Sequence, residues 1–167
     1  VEAEVAFYNA AMVKVPINAR LSPEEIVRVL DDSRSIAVIT GSAAAKALAA
    51  NRAALPHLKW IIVLADEGGD IPYREVLDMG DACAFNSDPD DEALAVLHYT
   101  SGSSGVLQAA MLTYGNRKAL VRKSLASPVR GAGPDDVMAH VGPITHASGM
   151  QIMPLLAVGA CNLLIER

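Results

Sequence analysis

Leu94-Ala95-Val96-Leu97-His98-Tyr99-Thr100-Ser101-Gly102-Ser103-Ser104-Gly105 joins an apolar run to a Ser/Gly run. The apolar half predicts a strand over Leu94 to Tyr99 that runs straight into a loop. Beyond the loop, Ala109 to Thr113 predicts a second strand. Composition alone leaves two readings of the segment between them. Ser-Gly-Ser-Ser-Gly suits a flexible linker, and it equally suits a ligand-binding loop. The tight apolar flanks, Ala95-Val96-Leu97 and Met111-Leu112, disfavour the linker, because a linker connects modules whereas this segment lies inside a strand-loop-strand unit.

Polyphosphate oxygens call for many hydrogen-bond donors at short range. Gly102 and Gly105 remove the side-chain barrier to close approach and permit unusual dihedrals. Thr100, Ser101, Ser103 and Ser104 add hydroxyls that can wrap phosphate oxygens or reach a magnesium ion. The loop is not of the Walker type, since no Gly-Lys-Ser/Thr tail leads into a helix.

Outward from this unit, helical and extended patterns alternate, which predicts a layered α/β fold. Val1 to Met12 reads as the end of a helix already under way and Val13 to Ile17 as a short strand. Ser22, Pro23 and Glu25 form a helix start with a capping box, and Ile26, Val27 and Leu30 supply its apolar face. Ile36 to Thr40 reads as a buried strand, Ala43 to Ala54 as a helix ended by Pro56, and Trp60 to Ala65 as a strand with Trp60 in the core. A Gly-Gly-Asp turn, a short helix at Tyr73 to Met79 and a polar connection over Phe85 to Glu92 follow. After the loop come a helix at Tyr114 to Ala126, a strand at Val137 to Val141, a helix at Ser148 to Val158 kinked or delayed by Pro154, and a strand at Cys161 to Ile165. No linker is long enough to split the chain, so residues 1–167 are expected to form one domain.

With 167 residues, of which 51% are hydrophobic, the chain can bury a sizeable core. A net charge of −5 argues against a nucleic-acid surface. The basic group Arg117, Lys118, Arg122 and Lys123 reads as a solvated helix face. Cys83 and Cys161 suggest neither a disulfide framework nor a zinc site, which favours reduced thiols and a cytoplasmic location. Val1 to Glu4 lacks the features of a secretory signal. Ile152 to Ile165 is too short, and too interrupted by Pro154 and Asn162, to span a bilayer.

Tyr99 to Gly105, followed by Leu112-Thr113-Tyr114-Gly115-Asn116, resembles the ATP-phosphate loop of the adenylate-forming superfamily, which includes acyl-CoA synthetases, luciferases and peptide-synthetase adenylation domains. Pro143-Ile144-Thr145-His146-Ala147-Ser148-Gly149, with Gly159-Ala160 after it, resembles the next motif of that superfamily. Val15 to Leu21, leading into Glu24-Glu25-Ile26, is similar to an earlier segment. The resemblance covers nearly the whole chain and implies part of the large N-terminal domain of such an enzyme. It implies a carboxylic acid substrate, fatty or aryl, activated by ATP with magnesium and then passed to coenzyme A. Thr100, Ser101, Gly102, Ser103, Ser104, Gly105 and Gln108 would hold the phosphates, and His146 with Gly149 would shape the acyl and nucleotide pocket.

The sequence departs from the pattern at Leu107, Gln108 and Ala109, where the superfamily usually has Pro, Lys and Gly. Gln108 offers a neutral amide in place of a cation, so weaker ATP binding is expected. The superfamily's Tyr-Gly-x-Thr-Glu segment, ribose-binding Asp and adenylation Lys do not occur by Arg167. The chain is therefore expected to be truncated at both ends, to lack the C-terminal domain, to contain no catalytic residue of its own and to be inactive alone. Competing readings are a peptide-synthetase adenylation fragment, or a noncatalytic α/β scaffold or oligomerisation module with a degenerate loop. Homo-oligomerisation and the metal ligands are left open. Among the remaining histidines, His98 and His140 read as packed and hydrogen-bonded and His57 as surface. Asp88, Asp90, Asp91, Glu92, Asp135 and Asp136 read as turn and cap residues.

Overall fold

A computed structural model describes residues 1–80, 87–101, 107–127, 129–142, 144–145 and 147–165. The chain divides into two compact units, each assembled from separate segments. One comprises Val1–Pro16, Asn86–His98 and Ala109–Arg167, and the other Ile17–Phe85 and Tyr99–Gln108.

In the second of these, helix α2 (Pro23–Asp32) starts as its sequence predicts. The Ser22 hydroxyl accepts from the Glu25 amide, the Glu25 carboxylate accepts from the Ser22 amide, and Pro23 stands at the first helical position. Its apolar stripe buries Ile26, Val29 and Leu30. Strand β1 (Ala37–Thr40), helix α3 (Ser42–Ala50), strand β2 (Trp60–Val63), strand β3 (Ile71–Pro72) and helix α4 (Tyr73–Asp78) complete the unit. The strands form a parallel sheet in the order β1-β2-β3, with Val38 opposite Ile61 and Ile62 opposite Ile71. Ile26, Leu30, Ala45, Leu48, Leu55, Leu58, Ile61 and Val63 make one core.

Two expectations fail here. β1 is half-buried throughout, and Trp60 is 50% exposed, so Ile61 and Val63 carry the packing of β2 while Trp60 faces outward. The Gly-Gly-Asp turn does more than reverse the chain. Asp70 accepts from the Ile61 amide at 2.7 Å and from Arg52 at 2.5 Å, and so aligns β3 beside β2.

The other unit holds helix α1 (Glu2–Asn9), helix α5 (Tyr114–Ala126), strand β6 (Val137–His140), helix α6 (Ile152–Ala157) and strand β7 (Cys161–Leu164). β6 and β7 pair in parallel, with Val137 opposite Cys161 and His140 opposite Leu164. Strands β4 (Leu94–Ser101) and β5 (Leu107–Thr113) pair with each other and contribute residues to both units. The segment expected as a strand at Val13 to Ile17 makes a single parallel bridge, Lys14 to Val96. Pro154 delays its helix: a 3-10 turn at Gly149–Gln151 precedes α6, which places Pro154 in the first α-helical turn, where an amide would have no intrahelical partner.

Arg117 corrects the solvated-face reading of its helix. It is buried, its Nε donates to the Tyr8 hydroxyl, and its guanidinium lies 5.5 Å from the Tyr8 ring centroid and 3.4 Å from the Glu4 carboxylate. Lys14 pairs with the same carboxylate, and burial pulls its ammonium below the ordinary lysine value despite the pull of Glu4 in the other direction. Tyr8 meets Tyr114 edge-on at 6.0 Å, and the Tyr114 hydroxyl donates to the Met12 carbonyl at 2.9 Å. Lys118, by contrast, pairs with Asp91 at 2.7 Å on the exposed surface.

Glu4 therefore compensates one buried and one half-buried cation. Glu4→Ala is expected to lower the unfolding free energy by ~3 kcal/mol, while Asp91→Ala, at the exposed pair, should change it far less; urea denaturation of both variants measures the difference.

Asp70 provides a pH test. Burial pushes its carboxyl up, but the Ile61 amide and Arg52 outweigh this and hold it below the usual aspartate range. A depressed folded value means that the unfolded chain binds the proton more readily. The contribution is thus complete above pH about 4 and lost as pH falls through the folded value. Asp70→Asn should lower the urea midpoint near neutrality and flatten its decline toward pH about 3.

Candidate functional site

Described residues flank both motif regions. Strand β4 delivers Tyr99 and Thr100 to the start of the Ser/Gly loop, and β5 begins at Leu107, so the loop spans the ends of two paired strands. Thr100 and Gln108 are exposed. Gly102, Ser103, Ser104 and Gly105 lie outside the described residues, as does the Ser101 side chain. The Tyr99 hydroxyl donates to Asp32 at 2.5 Å, tying the strand that enters the loop to the end of α2. Burial and the adjacent Asp32 carboxylate both push the Tyr99 phenol well above its ordinary value, so it remains a donor.

At the far end of the loop unit, Thr113 caps α5. Its hydroxyl accepts from the Asn116 amide, and the Asn116 side chain accepts from the Thr113 amide. The Gly115 amide donates to the Asp91 carbonyl at 2.8 Å, and a Cβ at Gly115 would approach that oxygen to 2.9 Å. The Leu112-Thr113-Tyr114-Gly115-Asn116 run thus combines a helix start with a close backbone approach that only glycine permits.

The described residues of the second motif turn back after β6 so that Gly149 meets Ile144, and Pro143 lies outside them. A Cβ on Gly149 would lie 1.8 Å from the Ile144 carbonyl oxygen, so the turn closes only because position 149 is glycine. Thr145 is half-buried and Ala147 exposed. His146 lies outside the described residues. Behind the turn stands His140, 2% exposed, with Nδ1 2.9 Å from the Ser148 hydroxyl and Nε2 2.7 Å from Asn162 Oδ1. The sequence reading of His140 as packed and hydrogen-bonded agrees with this. It did not foresee Ser148 or Asn162 as partners, although Asn162 interrupting an otherwise apolar stretch was the available signal. Gln151 Oε1, on the following 3-10 turn, is buried without a hydrogen-bond partner among the described residues.

The donor set of the loop is chemically suited to a polyphosphate, offering hydroxyls, glycine-flanked amides and one neutral carboxamide. Charge neutralisation would have to come from a cation. Among the described residues no group of three or more His, Cys, Asp or Glu is arranged to hold one. No described helix is long and apolar enough to cross a membrane.

Comparison with known proteins gives this arrangement a context. The family described as AMP-binding enzyme matches residues 1–167. A feruloyl-CoA synthase from Amycolatopsis sp is 31% identical over 166 residues, covering 93% of this chain and 29% of the relative. Long chain acyl-CoA synthetase 8 of Arabidopsis thaliana is 27% identical over 124 residues, which are 65% of this chain and 17% of that protein. Among solved structures, a long-chain-fatty-acid-CoA ligase (FadD1) from Archaeoglobus fulgidus matches with a TM-score of 0.82 at 22% identity, covering 97% of this chain and 32% of that one.

The fold is that of the N-terminal domain of adenylate-forming enzymes. The chain belongs to the AMP-binding enzyme family, and it spans between 17% and 29% of the length of the two curated relatives above.

Gly149 offers a direct test of the second motif. Gly149→Ala is expected to destabilise the protein by ~1–3 kcal/mol, because its methyl group must displace backbone rather than a flexible side chain. A lowered denaturation midpoint with an unchanged urea dependence would report this.

Proposed function

We propose that the chain is part of the N-terminal domain of a ligase that activates a carboxylic acid, fatty or aryl, with ATP and transfers the acyl group to coenzyme A. The observation that carries this reading is that the Ser/Gly segment joins the paired strands β4 and β5, which supports a phosphate loop over a linker between modules. Membership of the AMP-binding family and the acyl-CoA ligases among the relatives support it.

In this reading the substrate carboxylate attacks the α-phosphorus of ATP, the bond to pyrophosphate breaks, and an acyl-adenylate forms. The coenzyme A thiol then attacks the acyl carbon, loses its proton and releases AMP. Thr100, Ser101, Gly102, Ser103, Ser104, Gly105 and Gln108 hold the β- and γ-phosphates. Magnesium, when bound, offsets the phosphate charge. His146 and Gly149 shape the acyl pocket, and Tyr99, held by Asp32, fixes the strand that enters the loop. The 167-residue stretch by itself is expected not to turn over, and a cytoplasmic location goes with this reading.

The neutral Gln108 is the one specific observation that favours the noncatalytic scaffold reading. A lysine would add a charge-assisted bond to the phosphates, so Gln108→Lys should tighten magnesium-ATP binding by roughly fivefold, read by calorimetric titration of the intact protein. Carboxylate-dependent pyrophosphate release by the intact wild type is the expected result for the ligase. Absence of pyrophosphate release with every fatty and aryl acid, together with no ATP binding by either form, would sink the ligase reading in favour of the scaffold.

A further inference from the structure

We infer that His140 is a positioning residue for the turn at 144–149, setting the acyl-pocket wall through the Ser148 hydroxyl; this rests on the acyl-pocket reading of that turn. His140 is the last residue of β6, and β7 pairs alongside with Met138 opposite Asn162 and His140 opposite Leu164. The His140 and Asn162 side chains therefore stand on the same face of the strand pair, within reach across the diagonal.

The hydrogen bonds have a fixed direction when the ring is neutral. Asn162 Nδ2 donates to the Ile152 carbonyl at 3.5 Å, which leaves Oδ1 as the atom facing the imidazole. An amide oxygen can only accept, so the ring proton sits on Nε2. Nδ1 is then an acceptor, and the Ser148 hydroxyl must donate to it at 2.9 Å. Ser148 directly precedes Gly149, whose backbone lies against the Ile144 carbonyl. One buried ring thus links β7 to the turn and fixes where residues 147–149 lie.

A space-filling role alone does not account for this choice. His140 is 2% exposed, so both ring nitrogens are removed from water, a cost that a buried leucine or methionine would not carry. The polar chain is favourable only when both of its ends are satisfied, and one of those ends is the pocket turn.

The two bonds can be separated by substitution. His140→Asn retains an acceptor on the Nδ1 side for Ser148, whereas His140→Gln retains a donor on the Nε2 side for Asn162. In the intact protein, His140→Gln and Ser148→Ala are each expected to raise KM for the carboxylic acid about five- to tenfold, with KM for ATP changed by less than about twofold. His140→Asn should remain near wild type in KM for the acid while losing as much thermal stability as His140→Gln. Equal impairment of the Asn and Gln variants, or acid KM values that follow thermal midpoint across the series, would overturn the assignment.

A second readout does not depend on turnover. Nitrogen-15 spectra of the His140 ring should show the Nε2–H tautomer, and amide exchange at Ser148 and Gly149 should be slow in wild type and His140→Asn but fast in His140→Gln. An Nδ1–H tautomer, or exchange that is insensitive to these substitutions, would overturn the proposal. If no carboxylic acid elicits pyrophosphate release from the wild-type protein, the ligase reading fails separately, and the spectra and exchange rates still decide whether His140 holds the turn.

Discussion

The pairing of β4 with β5 is the constraint on which the reading of this protein depends. A Ser/Gly segment has little intrinsic preference for one conformation, and its entropy when free is large. Backbone hydrogen bonding between its flanking strands fixes both ends and removes much of that freedom before any ligand arrives. The same pairing sets the start of α5, because Thr113 ends β5 and caps the helix in one step. The Tyr99 to Asp32 bond adds a side-chain restraint at the entry. A loop held in this way can present amides and hydroxyls at a smaller entropic cost on binding.

The parts of the fold that were legible in the sequence are those whose signals are local. Ser22, Pro23 and Glu25 mark the start of α2 because capping involves residues three apart, and the start of α5 at Thr113 and Tyr114 is equally local. β3 was not legible. It is two residues long and exists because Ile71 meets Ile62 while Asp70 binds the Ile61 amide, a pairing no window of sequence displays. Arg117 was misread for a related reason. Its neighbours Lys118, Arg122 and Lys123 suggest a wet face, yet its partner Glu4 lies 113 residues away. Periodicity records which face of a helix is polar, but it cannot record a carboxylate arriving from elsewhere to make burial of a cation tolerable.

The candidate site divides along the same line. Both motif stretches were picked out by their resemblance to a known superfamily, because composition alone left the Ser/Gly loop open between a linker and a ligand-binding loop. His140 was recognisable only as a histidine expected to be satisfied. Which groups satisfy it depends on the β6 to β7 register, and on a turn that closes because Gly149 has no Cβ. The polar interruption at Asn162 was first a reason to doubt a membrane span. In the folded protein it is the acceptor for a buried imidazole.

The loop and the turn also differ in how they can act on charged substrates. If the loop holds phosphate as proposed, Gln108 stands where a cation would act over a distance, and the loop's donors would attract phosphate only at hydrogen-bond range. The turn is backed by an imidazole that, in the Nε2–H form, contributes direction and no net charge. In the proposed roles neither Gln108 nor a neutral His140 would supply long-range attraction for an anionic acid or nucleotide, and the net charge of the chain is −5. Selectivity built from such parts comes from placement. Small displacements of a hydroxyl or an amide then matter more than the number of charges, because a neutral hydrogen bond weakens steeply with distance and angle. The closure at Gly149 and the two-sided hold on His140 limit displacements of that kind.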